Sequence, residues 1–163
     1  MGLNLSDIPD RTEIYIDANI LLFSAFKHPR YGDVCKDFLM RMEGNACTSD
    51  FTINEVFHKL MIAEISKMFF VRPKDVVTFI KKNPAVISEL QAIWEEMGLI
   101  AESKIHIISY GKLFPDFIET SKSYNLMATD AIIVEIMKRN GLKDIATNDS
   151  DFERIEGITV WKP

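Results

Sequence analysis

The stretch Glu13-Ile14-Tyr15-Ile16-Asp17-Ala18-Asn19-Ile20-Leu21-Leu22 decides how this chain folds. Its first half is a short β-branched and aromatic run that ends in a carboxylate, and from Asn19 onward the apolar residues fall at helical spacing. A strand that passes directly into a helix is the opening half of a βαβ unit. The same alternation recurs downstream. Asp33 to Met42 reads as a helix with Val34, Phe38, Leu39 and Met42 on one face, stopped by Gly44 and Asn45. Ala46 to Thr48 then reads as a second short strand, followed by a helix carrying Ile53, Val56, Phe57, Leu60 and Met61.

Further along, residues 67–98 hold two helical pieces punctuated by Pro73 and Pro84, which predicts a helical hairpin laid over one edge of the sheet. Lys104 to Ser109 alternates into a third strand, and a helix follows through Phe117 to Ser123. Thr129 to Asn140 is apolar nearly all round and predicts a helix buried on most sides. Asp144–Ala146 and Ile158–Trp161 supply a fourth and a fifth strand. Strands alternating with helices predict an α/β fold with a parallel sheet and right-handed crossovers.

Length and composition agree with one compact domain over residues 1–163. The chain has 47% apolar and 26% charged residues and no internal repeat or low-complexity tract. No apolar run approaches a membrane span, and Met1 to Asp10 lacks the features of a signal peptide, so a cytoplasmic protein is expected. Cys35 and Cys47 read as small buried thiols of a reducing compartment, with a disulfide not favoured; without a close His they make a poor zinc site. The net charge of -5 argues against a partner made of phosphates until the placement of the acids is considered.

Four acidic stations follow or interrupt the apolar segments: Asp17, Glu55, Asp130, and Asp149 with Asp151. In an open α/β sheet the functional cleft lies beyond the carboxyl ends of the strands, at the point where strand order reverses. Asp17 at the end of strand one and Asp149 just after strand four would face each other there. Glu55 and Asp130 are expected in the first turns of their helices, where the helix dipole favours negative charge. Carboxylates so gathered need a cation, and a divalent ion held by carboxylates before a phosphate is the usual chemistry of phosphodiester cleavage. Setting Asp17, Glu55, Asp130 and Asp149 aside leaves 20 acidic against 19 basic residues, an almost neutral remainder.

Each station also has a plainer reading. Asp17 with Asn19 can form a local Asx-type turn, Glu55 can be a solvated acid, Thr129 and Asp130 can cap a helix, and Asp149 with Asp151 can shape a turn. Competing enzyme classes fit less well. A haloacid dehalogenase-like enzyme wants a second Asp where Asn19 stands, a receiver wants an acidic pair before strand one, and a dinucleotide-binding domain needs a glycine-rich first turn.

Taken in order, Ile16-Asp17-Ala18-Asn19-Ile20-Leu21-Leu22, Asn54-Glu55-Val56, Ala128-Thr129-Asp130-Ala131-Ile132-Ile133-Val134 and Ala146-Thr147-Asn148-Asp149-Ser150-Asp151-Phe152 resemble the PIN domain family, and within it the small VapC-type toxin ribonucleases. The resemblance extends from Tyr15 to Trp161. It implies a three-layer α/β/α fold around a parallel sheet of four to five strands, Mg²⁺ or Mn²⁺ as cofactor, and RNA as substrate. It also implies an antitoxin protein as partner and a homodimer, with no membrane association. Asp17, Glu55 and Asp130 match the first three family acids; the fourth is Asp149, with Asp151 as second choice.

Asn19, Thr147 and Asn148 match polar residues that steady the site. Lys27, Arg30, Lys59 and Arg154 are candidates for phosphate contacts by their nearness to the stations, and otherwise ordinary surface charges. The Met68-Phe69-Phe70 cluster reads either as core or as a face for an antitoxin helix or second subunit. The functional alternative to a nuclease is a PIN-like module that is catalytically silent and binds RNA or serves as a scaffold.

Overall fold

The computed structural model describes residues 3–163. Met1 and Gly2, the start of the leader before strand one, lie outside the described residues. The chain divides into two compact units. One is formed by the residues up to Ile53 together with Lys104–Pro163, and the other by Asn54–Ser103. Among the described residues, no helix is long and apolar enough to cross a membrane.

The first unit holds a single six-stranded sheet, in which every pairing is parallel. Its strands are β1 (Leu3–Asn4), β2 (Ile14–Ile16), β3 (Ala46–Ser49), β4 (His106–Ile108), β5 (Asp144–Ala146) and β6 (Thr159–Lys162), in the order β1-β6-β5-β2-β3-β4. Five of these are the strands expected from sequence. The sixth, β1, is a two-residue edge piece in which Leu3 is registered with Trp161 and Asn4 with Lys162.

The order has a direct topological consequence. From β2 the chain moves to β3 and then β4, whereas from β5 it moves the other way to β6. With right-handed crossovers, steps in opposite directions put their helices on opposite faces. Helices α1 (Ala18–Ala25) and α2 (Gly32–Arg41), which join β2 to β3, therefore cover one face. Helices α6 (Asp116–Tyr124) and α7 (Ala128–Arg139), which lead from β4 back to β5, cover the other. The adjacent central strands β2 and β5 form the switch point, with Ile16 registered against Ala146 at their carboxyl ends.

Packing holds this arrangement. Ile14, Tyr15 and Ile16 are fully buried, as expected for a central parallel strand covered on both faces. Tyr15 and Ile145 join Ala131, Ile133, Val134, Ile136 and Met137 of α7, with Phe152 and Ile155, in one cluster. Each such side chain contributes roughly 1.5–3 kcal/mol on burial. Helix α7 ends at Gly141, whose φ of 67° needs no Cβ. Its last carbonyls are satisfied there, Gly141 N–H donating to Lys138 O at 3.2 Å and Leu142 N–H to Met137 O at 2.9 Å. That turn sends the chain straight into β5.

Within the second face, one polar residue of α7 departs from the expected apolar pattern. Glu135 is buried, accepts from Thr120 of α6 and from Lys138 at 3.0 Å, and so ties the two helices together. A buried carboxylate is tolerable because both partners are present.

Two helix starts differ from expectation. Helix α3 runs Asp50–Phe69, and Ser49 Oγ accepts from Thr52 N–H at 3.2 Å, as an N-cap does. Glu55 is thus the sixth residue of α3 and lies in its second turn, beyond the reach of the first-turn dipole effect expected for it. Helix α7 begins at Ala128 after Met127, with no side-chain cap, so Thr129 and Asp130 are inside the first turn and are not its caps.

The second unit contains the body of α3 with α4 (Val76–Lys82) and α5 (Ala92–Glu102). Glu64 of α3 accepts the N–H groups of Gln91, Ala92 and Ile93 at 2.8, 3.0 and 2.8 Å, capping α5 from a neighbouring helix. Phe57 packs near Trp94 and Phe69 near Phe79, with ring centroids 5.9 and 5.3 Å apart. The Met68-Phe69-Phe70 cluster splits: Phe69 packs, Met68 is half exposed, and Phe70 is 94% exposed.

Candidate metal centre

The carboxyl ends of β2 and β5 present Asp17 and Thr147, and the site grows from their contact. Asp17 is the residue after β2 rather than its last, yet it continues the ladder, its N–H donating to Ala146 O at 3.1 Å. It is 7% exposed. Its Oδ1 accepts from Ala18 N–H at 2.7 Å at the start of α1, and its Oδ2 accepts from Thr147 Oγ1 at 2.6 Å and from Asn19 Nδ2 at 2.5 Å. The local Asx-like bond and the long-range one coexist on one carboxylate.

Asn19 and Thr147 extend this network. Asn19 Nδ2 also donates to Thr147 Oγ1 at 3.0 Å, while its Oδ1 accepts from Asn148 N–H at 3.0 Å. Thr147 Oγ1 in turn accepts from Asp149 N–H at 3.0 Å. One hydroxyl therefore joins the Asp17 carboxylate to the backbone that carries Asp149. Asn148 takes part through its backbone, and its side chain is exposed.

Three acids converge beside this network. Asp130, Asp149 and Asp151 each bring an oxygen to within 4.8 Å of the others, and all three are half-buried. Asp130 comes from the first turn of α7, as expected. The alternatives for the fourth acid, Asp149 and Asp151, both enter the group. Asp151 N–H donates to Asp149 Oδ1 at 2.8 Å, which shapes the turn and leaves both carboxyl groups on one side. Asp17 adjoins the group through Thr147 rather than as one of the three.

Glu55 belongs to the second unit, where its carboxylate pairs with Lys59 at 2.6 Å, four residues on along α3. The basic residues divide likewise. Arg154 forms an ion pair with Asp151, with Nε also donating to the Asp151 carbonyl at 3.0 Å, while the Arg30 guanidinium rests 5.1 Å from the Tyr31 ring centroid. The spacing of the two ion pairs is visible in the sequence, Glu-x-x-x-Lys on a helix and Asp-x-x-Arg on a turn.

Beneath Asp17 lies a hydroxyl cluster that sequence patterning missed. Tyr15 Oη is within 2.7 Å of both Ser49 Oγ and Thr52 Oγ1. Burial pushes the Tyr15 hydroxyl above its ordinary pKa, against the three neighbouring hydroxyls that lower it, and the Asp17 charge adds to the upward shift. Tyr15 is thus held in its neutral form, and its hydroxyl ties β2 to Ser49 and Thr52 at the start of α3. A cavity of about 290 Å³ opens at the opposite ends of the strands, beside Glu13, Asn45, His106 and Leu142, and has no part in the acid group.

An all-oxygen set of carboxylates is the donor set of a hard divalent ion such as Mg²⁺ or Mn²⁺, and does not suit zinc or copper, which favour nitrogen and sulfur. The residues present fit such an ion.

Comparison with known proteins agrees with this geometry. Residues 14–158 match the PIN domain. A 44-residue stretch is 43% identical to ribonuclease VapC6 of Methanocaldococcus jannaschii, covering 27% of this chain and 29% of that protein, so the match spans less than a third of the relative's length. The fold is similar to VapBC2 from Rickettsia felis bound to a DNA fragment from its promoter, at a TM-score of 0.58 and 14% identity over 92% of this chain and 98% of that one. It is also similar to a toxin-antitoxin complex from Klebsiella pneumoniae, at a TM-score of 0.53 and 21% identity over 89% and 94% of the two chains. At these identities the solved structures speak to the fold alone. With four of the six strands and all three clustered acids inside the matched residues, the chain belongs to the PIN domain family.

Proposed function

We propose that this protein is a metal-dependent endoribonuclease, the toxin of a toxin-antitoxin pair, using Mg²⁺ or Mn²⁺ to hydrolyse RNA phosphodiester bonds. The observation that carries the reading is the gathering of Asp130, Asp149 and Asp151 within 4.8 Å at the switch point of the sheet. The printed identity of its curated relative as a ribonuclease, and of its structural neighbours as toxin-antitoxin assemblies, supports it further. An antitoxin protein is the expected partner and a homodimer follows from the same resemblance, while a cytoplasmic location is the expectation from the sequence pattern.

In this reading Asp130, Asp149 and Asp151 supply metal ligands, and Asp17 and Glu55 are further ligands by their match to the family pattern. An ion held there would supply Lewis-acid activation of a water and would offset charge on the phosphate. The chain's own residues do the positioning. Thr147 holds Asp17 and the Asp149 backbone in one register, and Asn19 clamps Asp17 to the loop after β5. No side-chain nucleophile is required.

The test is cleavage of a mixed pool of single-stranded and structured RNAs with Mn²⁺, Mg²⁺ or EDTA, alongside Asp17→Asn and Asp130→Asn. Metal-dependent cutting lost in both variants supports the reading. Cutting that survives in them removes these acids from the mechanism, and metal-independent RNA binding without cutting favours the silent module.

A further inference from the structure

Arg154 is a cation in contact with the acid group, through Asp151, and its backbone is anchored in the core. It lies on the 3-10 turn Asp151–Arg154, between Phe152 at 0% exposure and Ile155 at 3%, both in the core cluster. These anchors hold the backbone of the turn in the core. Its Nε holds the Asp151 carbonyl and its Nη2 pairs with the Asp151 carboxylate, one of the three clustered acids. The neighbouring Glu153 does not compete, because it is paired with Lys162.

We infer that Arg154 is a phosphate-positioning residue that is stored on Asp151 and released when a divalent ion takes that carboxylate. This deepens the ribonuclease reading and rests on it. Three carboxylates this close repel one another, and the guanidinium offsets part of that charge while the ion is away. A divalent ion brings more charge to the same carboxylate and so competes with a partly exposed ion pair of modest strength. Freed there, the guanidinium offers a planar fork of donors that matches a phosphodiester, and its anchored backbone keeps it within a side-chain length of the acids.

The inference makes two opposed demands on one residue: Arg154 weakens metal binding in the free protein and strengthens RNA binding in the loaded one. A structural residue would not do both. The experiment compares wild type, Arg154→Gln and Arg154→Lys. Mn²⁺ affinity is measured by calorimetry without RNA, and affinity for a 12-nucleotide single-stranded RNA is measured in Ca²⁺ across a salt series. In Arg154→Gln the Kd for Mn²⁺ is expected to fall roughly threefold or more. RNA binding should weaken about tenfold, and the slope of log affinity against log salt should shrink by about 0.7, the value of one phosphate contact on a single strand. Arg154→Lys should restore the slope but only part of the affinity, having lost the fork.

Unchanged or weaker Mn²⁺ binding in Arg154→Gln, or an unchanged salt slope, overturns the inference while leaving the nuclease reading intact. A wild-type protein that binds neither Mn²⁺ nor RNA overturns both.

Discussion

Thr147 Oγ1 donates to Asp17 Oδ2 at 2.6 Å, joining residues 130 positions apart at the carboxyl ends of the two central strands. Because the same oxygen accepts from Asp149 N–H, removing it takes one donor from a buried carboxylate and the acceptor from a backbone N–H at once. Thr147→Val keeps the shape and deletes the hydroxyl. It should cost about 1–3 kcal/mol in urea denaturation and weaken Mn²⁺ binding, while Thr147→Ser stays near wild type. A stable Thr147→Val protein with unaltered Mn²⁺ affinity would remove Thr147 from the site's support.

Asp130, Asp149 and Asp151 are held close at the expense of mutual repulsion, which a cation relieves. Asp149→Asn retains an oxygen to accept from Asp151 N–H but removes one charge. In EDTA the variant should therefore be more stable than wild type by about 1 kcal/mol, a rise of roughly 2–4 °C in Tm. Added Mn²⁺ should raise the Tm of wild type and leave that of the variant nearly unmoved. Calorimetry or a dye-based melt decides it, and an Asp149→Asn protein that melts lower in EDTA would mean the acids are not in repulsive contact.

Which parts of this were legible in the sequence follows from the range of the interactions. Ile14-Tyr15-Ile16 announces a buried strand because its neighbours on both sides are apolar layers, and α7 announces itself by Ile132 to Met137. Strand β1 is two residues long and takes its identity wholly from Trp161 and Lys162, so no local pattern marks it. The start of α3 was set too late because Asp50-Phe51-Thr52 has no helical apolar stripe, and its cap works only through Ser49 Oγ reaching Thr52. The acids were found by type and order. Their convergence on one end of the sheet follows from that order; which of them stand within 4.8 Å of one another does not, since whether Asp151 joins Asp149 depends on one turn bond and whether Asp17 adjoins them depends on sheet order.

The two thiols should be chemically silent in the folded protein. Burial pushes Cys35 up to about 12, and burial with the nearby Glu13 charge does the same for Cys47, whose Sγ also donates to Ile14 O at 3.4 Å. At pH 8 almost no thiolate is present, and the thiolate is the reactive form. Native protein should react with a disulfide reagent only at the rate of unfolding, with both cysteines released together by denaturant. Rapid labelling of either one in native buffer would contradict its burial.

Glu64 gives the second unit a pH-dependent fastening. Burial pushes its carboxyl up, but the N–H groups of Gln91, Ile93 and Ala92 together outweigh that and hold it below the usual carboxylate value. A group with a depressed folded pKa contributes stability that is fully present above its unfolded value, about 4.3, and is lost as pH falls through the folded value. Glu64→Gln keeps an acceptor oxygen and removes the charge, so it should cost about 1–2 kcal/mol at pH 7. The gap between the two proteins should close as pH drops below about 4. Hydrogen exchange at Ala92 and Ile93 reads the effect locally, with faster exchange expected in the variant at pH 7. A stability gap that stays constant from pH 7 to pH 3 would show that the charge on Glu64 does not hold the start of α5.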